Sequence, residues 1–163
     1  MPRYSSQFPD PVALVTVATA KKSNVMTVGW TSPVSSDPPV LMISIAPERF
    51  THNLILEAGE FGVSILADDQ RDLSTLAGTL SGASVEKLKR PEFQTVPAEM
   101  IRAPLISGAR ACFECSLLQS IDVGDHTVFF GEVLKATVND RKSPLILFYR
   151  SYYGLGKEIG TYP

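Results

Sequence analysis

The chain has 163 residues, of which 44% are hydrophobic and 20% charged, with fifteen basic residues against seventeen acidic ones. That length suits one domain, residues 1–163, which can bury a core without a disulfide or a metal. The balanced charge, with no long block of either sign, excludes a nucleic-acid or anionic-membrane partner as the expectation. Two cysteines, an opening MPRYSSQFPDP without an apolar signal core, and no apolar run near the ~18 residues of a membrane helix make the cytoplasm the expected compartment.

In chain order, Val12–Ala20 is rich in valine and threonine and stops at the polar Lys21-Lys22-Ser23-Asn24 cluster. A second β-like run, Val25–Ser32, follows at once, and the pair reads as a hairpin. Pro33 and Asp37-Pro38-Pro39 then break the pattern, and Val40–Ala46 is a short apolar run suited to a buried strand. Phe50, Leu54, Ile55 and Ala58 share a helical face, opened at Arg49 or Thr51, with Gly59 at the C′ position. Phe61–Leu66 predicts a strand. Asp69, Asp72, Leu73, Leu76 and Ala77 predict a second helix, N-capped by Asp69 and ended by Gly78.

Thr79–Arg102 is irregular, interrupted by Gly82, Pro91 and Pro97, with room for one helical turn near Ser84. Ala111–Ser120 and Thr127–Val138 predict a second hairpin across Asp122-Val123-Gly124-Asp125. Pro144–Tyr149 predicts a last strand, followed by an aromatic, glycine-rich tail. Hairpins with few crossovers predict a mainly β fold, an antiparallel barrel with peripheral helices rather than a doubly wound parallel sheet.

Most motif-like features carry no chemistry. Cys112 and Cys115 have C-x-x-C spacing, but strand residues three apart face opposite sides and cannot easily meet. Gly154, Gly156 and Gly160 have the wrong spacing for a dinucleotide fingerprint and no following βαβ unit. Ser84-Val85-Glu86-Lys87 matches S-x-x-K without its companion motifs. His52 and His126 are the only histidines, so no metal site is expected.

Four polar segments remain, each with a plain structural reading beside a functional one. Asn24–Ser32 carries hydroxyls, Trp30 and Gly29; the glycine marks either a bulge or the close approach of a flat ligand. Ala46–His52 passes from a buried strand into a helix whose free N–H groups, with Arg49 and Thr51, suit a phosphate or simply cap the helix. Gly82–Lys87 is a glycine-entered turn followed by a cation, or a solvated loop. Gly124-Asp125-His126 places a histidine at a hairpin turn, as a proton donor or as an exposed residue without a role. Tyr149, Tyr152, Tyr153 and Tyr162 suit a flat ligand, a partner subunit or the core.

Together the stretches NVMTVGWTSPVSSDPPVLMISI, APERFTHNLILEAGEFGVSIL, TLSGASVEKL, GDHTVFFGEV and LFYRSYYGLG resemble the flavin reductase-like, FMN-binding split-barrel family, including its flavoredoxin branch. The likeness runs from about residue 12 to 156. It implies an antiparallel split β-barrel, usually a homodimer with the flavin near the subunit interface. It places the backbone of Met26, Thr27, Val28, Gly29 and Trp30 along the isoalloxazine ring, and Ala46, Pro47 and Arg49 by the pyrimidine edge and ribityl chain. Thr51 and His52 fall near the phosphate with Lys87 as a further cation, and His126 falls on the nicotinamide side. Many relatives carry serine, cysteine or threonine where this chain has Ala46 and Pro47, which leaves substrate preference open. The implied activity is NAD(P)H-dependent electron transfer to flavin or a downstream acceptor, including a redox protein partner. The alternatives are an FMN-binding electron carrier reduced by a partner protein without a nicotinamide site, and a binding module without a redox role.

Overall fold

The computed structural model describes residues 4–162. The chain is mainly β. Its strands are β1 (Asp10–Pro11), β2 (Ala13–Ala18), β3 (Ser23–Val28), β4 (Thr31–Ser36), β5 (Pro39–Ile45), β6 (Glu60–Ile65), β7 (Thr95–Val96), β8 (Leu105–Ile106), β9 (Ala111–Val123), β10 (His126–Val138), β11 (Ile146–Phe148) and β12 (Ser151–Tyr153). Helix α1 (Phe50–Ala58) lies between β5 and β6, and α2 (Arg71–Thr79) follows β6. Seven strands form one antiparallel sheet in the order β3-β2-β6-β9-β10-β5-β4. β1, β11 and β12 form a small second sheet, and β7 pairs with β8.

The two edges of the large sheet, β3 and β4, are consecutive in sequence and joined only by Gly29 and Trp30. Val28 and Thr31 therefore lie within about 11 Å of each other, which a seven-stranded sheet satisfies only by curling. The Thr31 N–H donates to the Gly29 carbonyl at 2.9 Å, and the Ser44 N–H of β5 donates to the Trp30 carbonyl at 3.0 Å. The barrel thus closes through a tight turn rather than a β3–β4 ladder.

This turn corrects the single Val25–Ser32 strand expected from the sequence. Pro33 does not end the strand pattern either: it lies within β4, an edge strand, where a missing N–H costs no ladder bond. The second helix differs at both ends. It runs from Arg71 to Thr79 with Gly78 inside, and Asp69 sits in a preceding 3-10 turn, pairing with Lys142 instead of capping α2. The turn expected near Ser84 is followed by a 3-10 segment at Lys87–Lys89. The tail supplies β12, paired with β11 across Tyr149 and Arg150. Helix α1 matches its expected bounds; Gly59 takes φ 66° and donates its N–H to the Ile55 carbonyl.

All of β2 is buried, because both faces of the sheet are covered there. Ala13, Val15 and Val17 pack with Ile43, Leu54, Phe61 and Phe129 on one side. Val12 and Leu14 pack with Ala77, Phe93, Leu105 and Leu145 on the other. Two-sided cover is why this segment reads as a continuous apolar run. Cys112 and Cys115 fall into these two different clusters, as their spacing on a strand requires. Burial pushes both thiols up, Cys115 to about 12.

β10 meets β9 with a register shift between Phe130 and Gly131. A Cβ on Gly131 would lie 2.6 Å from Phe61 Cζ and 2.8 Å from Cys115 Cβ, inside the first core cluster. Gly131→Ala is expected to lower the unfolding free energy by about 1–3 kcal/mol through overpacking, as read from the urea midpoint.

Candidate functional site

At the seam where β3 turns into β4 the structure holds a cavity of about 500 Å³. That is within the roughly 300–1,000 Å³ range of small-molecule sites. One wall is the Met26–Trp30 stretch; a second is Ser44 and Ala46 with Glu48–Thr51 at the start of α1; a third is Ala77–Gly82, with Lys87 behind it. Asp10, His126 and Leu147 complete the rim.

Each wall is tied to its neighbour. Buried Asn24 donates from Nδ2 to Thr51 Oγ1 at 2.8 Å, joining β3 to α1. Thr27 Oγ1 donates to the Ser74 carbonyl at 2.6 Å, fixing α2 against β3. A Cβ on Gly82 would lie 2.3 Å from Asn24 Oδ1 and 2.6 Å from Phe50 Cδ1, so only glycine lets the third wall approach this closely. Asn24 Oδ1 is buried without a partner. The Trp30 and His126 rings pack at a 43° tilt with centroids 4.7 Å apart, and His126 Nδ1 meets Asp125 Oδ1 at 2.7 Å. That hydrogen bond holds the Asp125 carboxyl below its ordinary range.

Of the residues singled out in the sequence, Met26, Thr27, Val28, Gly29, Trp30, Ala46, Arg49, Thr51, Lys87 and His126 all line this cavity. Pro47 and His52 do not. His52 is turned into the fold: Nε2 meets Thr127 Oγ1 at 2.9 Å, Nδ1 meets Asn53 Oδ1 at 3.1 Å, and its ring packs edge-on against Phe129. Having its neighbour Thr51 on the cavity side of α1 puts His52 on the barrel side. Lys87 lines the cavity, but its ammonium donates to the carbonyls of Ala77 and Leu80. Gly29 is not crowded, since a Cβ there would meet Asp10 at an ordinary 3.6 Å.

Sequence reading passed over Asp10, Ser44 and the Ala77–Ser81 strip, and took Asn24 and Phe50 only as parts of the Asn24–Ser32 and Ala46–His52 segments. Asp10 and Leu147 arrive together because β1 pairs with β11, a contact that spans the chain and has no local signal. The unpartnered Asn24 carbonyl could have been suspected only from a buried asparagine at a strand start.

The cavity has the make-up of a nucleotide site. A helix N-terminus beside Arg49 offers N–H donors and positive charge at one end. Trp30 and His126 offer flat surfaces at the other. Among the described residues, no cluster of His, Cys, Asp or Glu could hold a metal ion, and no helix is long and apolar enough to cross a membrane.

Residues 5–156 match the family described as Flavin reductase like domain. The chain belongs to that family. Among curated relatives, the FMN reductase (NADH) RutF of Stutzerimonas stutzeri is 31% identical over 122 residues, covering 75% of this chain and 68% of that protein. The structure of BorF, the flavin reductase component of a bacterial two-component tryptophan halogenase, superposes with a TM-score of 0.85 at 32% identity, covering 94% of this chain and 95% of the other. The NADH:FAD oxidoreductase SgcE6 of Streptomyces globisporus C-1027 gives 0.89 at 27% identity, covering 95% and 91%. BorF and SgcE6 share the overall fold of this chain.

Burial raises the Asp10 carboxyl above its ordinary value of 3.8. Between those two values the folded state binds more protons than the unfolded chain, so this group's contribution to stability falls as pH rises through the window. Asp10→Asn is therefore expected to raise the urea midpoint at neutral pH. The gain should shrink as pH falls and vanish below the ordinary carboxyl value.

Proposed function

We propose that this flavin reductase family member binds FMN in the seam cavity and oxidises NAD(P)H, passing the electrons to flavin or to a downstream redox protein. The observation that carries the reading is the cavity's polarity. Backbone and aromatic surface (Met26–Trp30, His126) stand at one end, and the α1 N-terminus with Arg49 and Thr51 stands at the other. A flat heterocycle on a polar chain ending in phosphate matches that order.

When bound, FMN would supply the two-electron acceptor chemistry that no side-chain constellation in this chain provides. The protein's share is placement. The Met26–Trp30 wall orients the ring; Thr51 and the free N–H groups of α1 hold the anionic end; and the Ala77–Gly82 wall excludes water from the third side. His126, held by Asp125 and packed at a tilt against Trp30, borders the opening where a nicotinamide would enter. A second cavity of about 410 Å³ adjoins the first through Asp10, Trp30 and Leu147, giving a second nucleotide room beside the first. The names of RutF and SgcE6, both NADH-dependent, favour NADH as the donor, and that of BorF favours a partner protein as destination.

A homodimer accompanies this reading. Near the turn of the β9–β10 hairpin, Leu118, Ile121 and Val123 of β9 are exposed, apolar side chains that a second copy of the chain would cover. Sedimentation should give twice the 17.7 kDa chain mass.

The deciding measurement is the visible spectrum of purified protein with FMN, taken anaerobically before and after NADH or NADPH. Bleaching of the flavin bands supports the oxidoreductase. A bound flavin that both nucleotides leave oxidised points to an electron carrier instead. His126→Ala should lower kcat/KM for the nicotinamide nucleotide on the order of 100-fold while leaving FMN affinity nearly unchanged.

A further inference from the structure

Lys87 is only 2% exposed, although an ammonium is among the groups that burial penalises most. It opens the Lys87–Lys89 segment, and Nζ donates to the Ala77 carbonyl at 3.0 Å and the Leu80 carbonyl at 3.1 Å. These acceptors sit at the C-terminal end of α2, where carbonyls lack intrahelical partners and the helix dipole is negative.

No carboxylate among the described residues pairs with Lys87. Glu86 is taken by Lys89 at 2.8 Å and Glu92 by Arg90 at 2.6 Å. On α2, Arg71 and Asp72 pair with each other in the first turn, and β3 carries no charged residue. The charged cavity residues Asp10, Glu48 and Arg49 form no ion pair with it.

Burial pushes the Lys87 ammonium down from 10.5 to about 8. Between those values the unfolded chain binds more protons than the folded one, so this group adds stability as pH rises through that window. At neutral pH the charge therefore costs the fold stability, where an apolar chain of the same length would not. What the ammonium does achieve is to tie down the strip that forms the cavity's third wall, from Ala77 to Gly82.

We propose that Lys87 is a positioning residue for the flavin: its ammonium ties the Ala77 and Leu80 carbonyls, and so holds the Ala77–Gly82 wall against the bound cofactor. The proposal rests on the reading of the seam cavity as the FMN site. It explains an uncompensated buried cation as the means of holding a wall that has no strand ladder of its own. Charge-assisted bonds to two carbonyls are stronger than those of a neutral amine. Flavin retention should therefore weaken as the ammonium loses its proton, while the fold itself gains stability.

The test is an FMN titration of the flavin-free full chain, followed by fluorescence quenching from about pH 7 to about pH 9, above the phosphate's own second ionisation near 6. Wild-type affinity should fall about tenfold as pH passes about 8, with no matching fall in the thermal midpoint of the flavin-free protein. Lys87→Met should bind FMN weakly at neutral pH and without the step. Lys87→Arg, which keeps its charge throughout, should recover tight binding with a flat profile. A flat wild-type profile, or Lys87→Met binding FMN as tightly as wild type at neutral pH, would overturn the proposal while leaving the FMN site intact. Should Lys87→Met fail to fold, the wild-type profile and Lys87→Arg decide the matter. Wild-type protein that binds no FMN at any pH would remove the FMN reading, and the role of Lys87 with it.

Discussion

The two residues between β3 and β4 control the architecture. Gly29 and Trp30 join the opposite edges of a seven-stranded sheet, and so short a link forces the sheet to curl until those edges meet. The Trp30 carbonyl is then bonded to Ser44 on β5, which fixes the seam without a ladder between the edge strands. A barrel closed this way keeps backbone groups and side chains near the seam available to something other than a neighbouring strand. The cavity lies along this seam, and its first wall is the chain that makes the turn.

The other walls are held by contacts that serve packing and site together. Asn24 ties β3 to Thr51 at the start of α1, and Thr27 ties β3 to the Ser74 carbonyl of α2. Gly82 then lets the loop after α2 approach Asn24 and Phe50 more closely than any side chain would allow. Each tie spans a long stretch of sequence, so the cavity's shape depends on the completed barrel rather than on a local motif.

This arrangement suits a protein whose chemistry is carried by a cofactor. Among the described residues no cluster of His, Cys, Asp or Glu could hold a metal ion, and the hydroxyl that meets a histidine, Thr127 against His52, is buried away from the cavity. Both thiols are buried and pushed up in pKa, which leaves them protonated and unreactive. What the chain offers is a shaped, polar-ended cavity and a rim of packed Trp30 and His126 rings, and these are means of positioning.

The sequence alone determined the elements with strong periodicity or clear punctuation. Helix α1 with its Gly59 terminus, the β9–β10 hairpin and the opposite facing of Cys112 and Cys115 follow from spacing, because side-chain direction on a strand or helix is set by the backbone period. The polar segments along Met26–Trp30 and Ala46–Thr51 were also legible, since hydroxyls, glycine and arginine stand out against apolar strands. Tertiary structure decided what period cannot encode. It split the Val25–Ser32 run at Gly29, because closure needs a turn there. It turned His52 inward to Thr127 while Thr51 faced the cavity, a choice made by the packing of α1 on the barrel. It carried Asp10 and Leu147 to the rim from distant parts of the chain, and it aimed Lys87 at α2 carbonyls rather than into the opening. In each case the deciding contact joins residues far apart in sequence, where local propensity has no information.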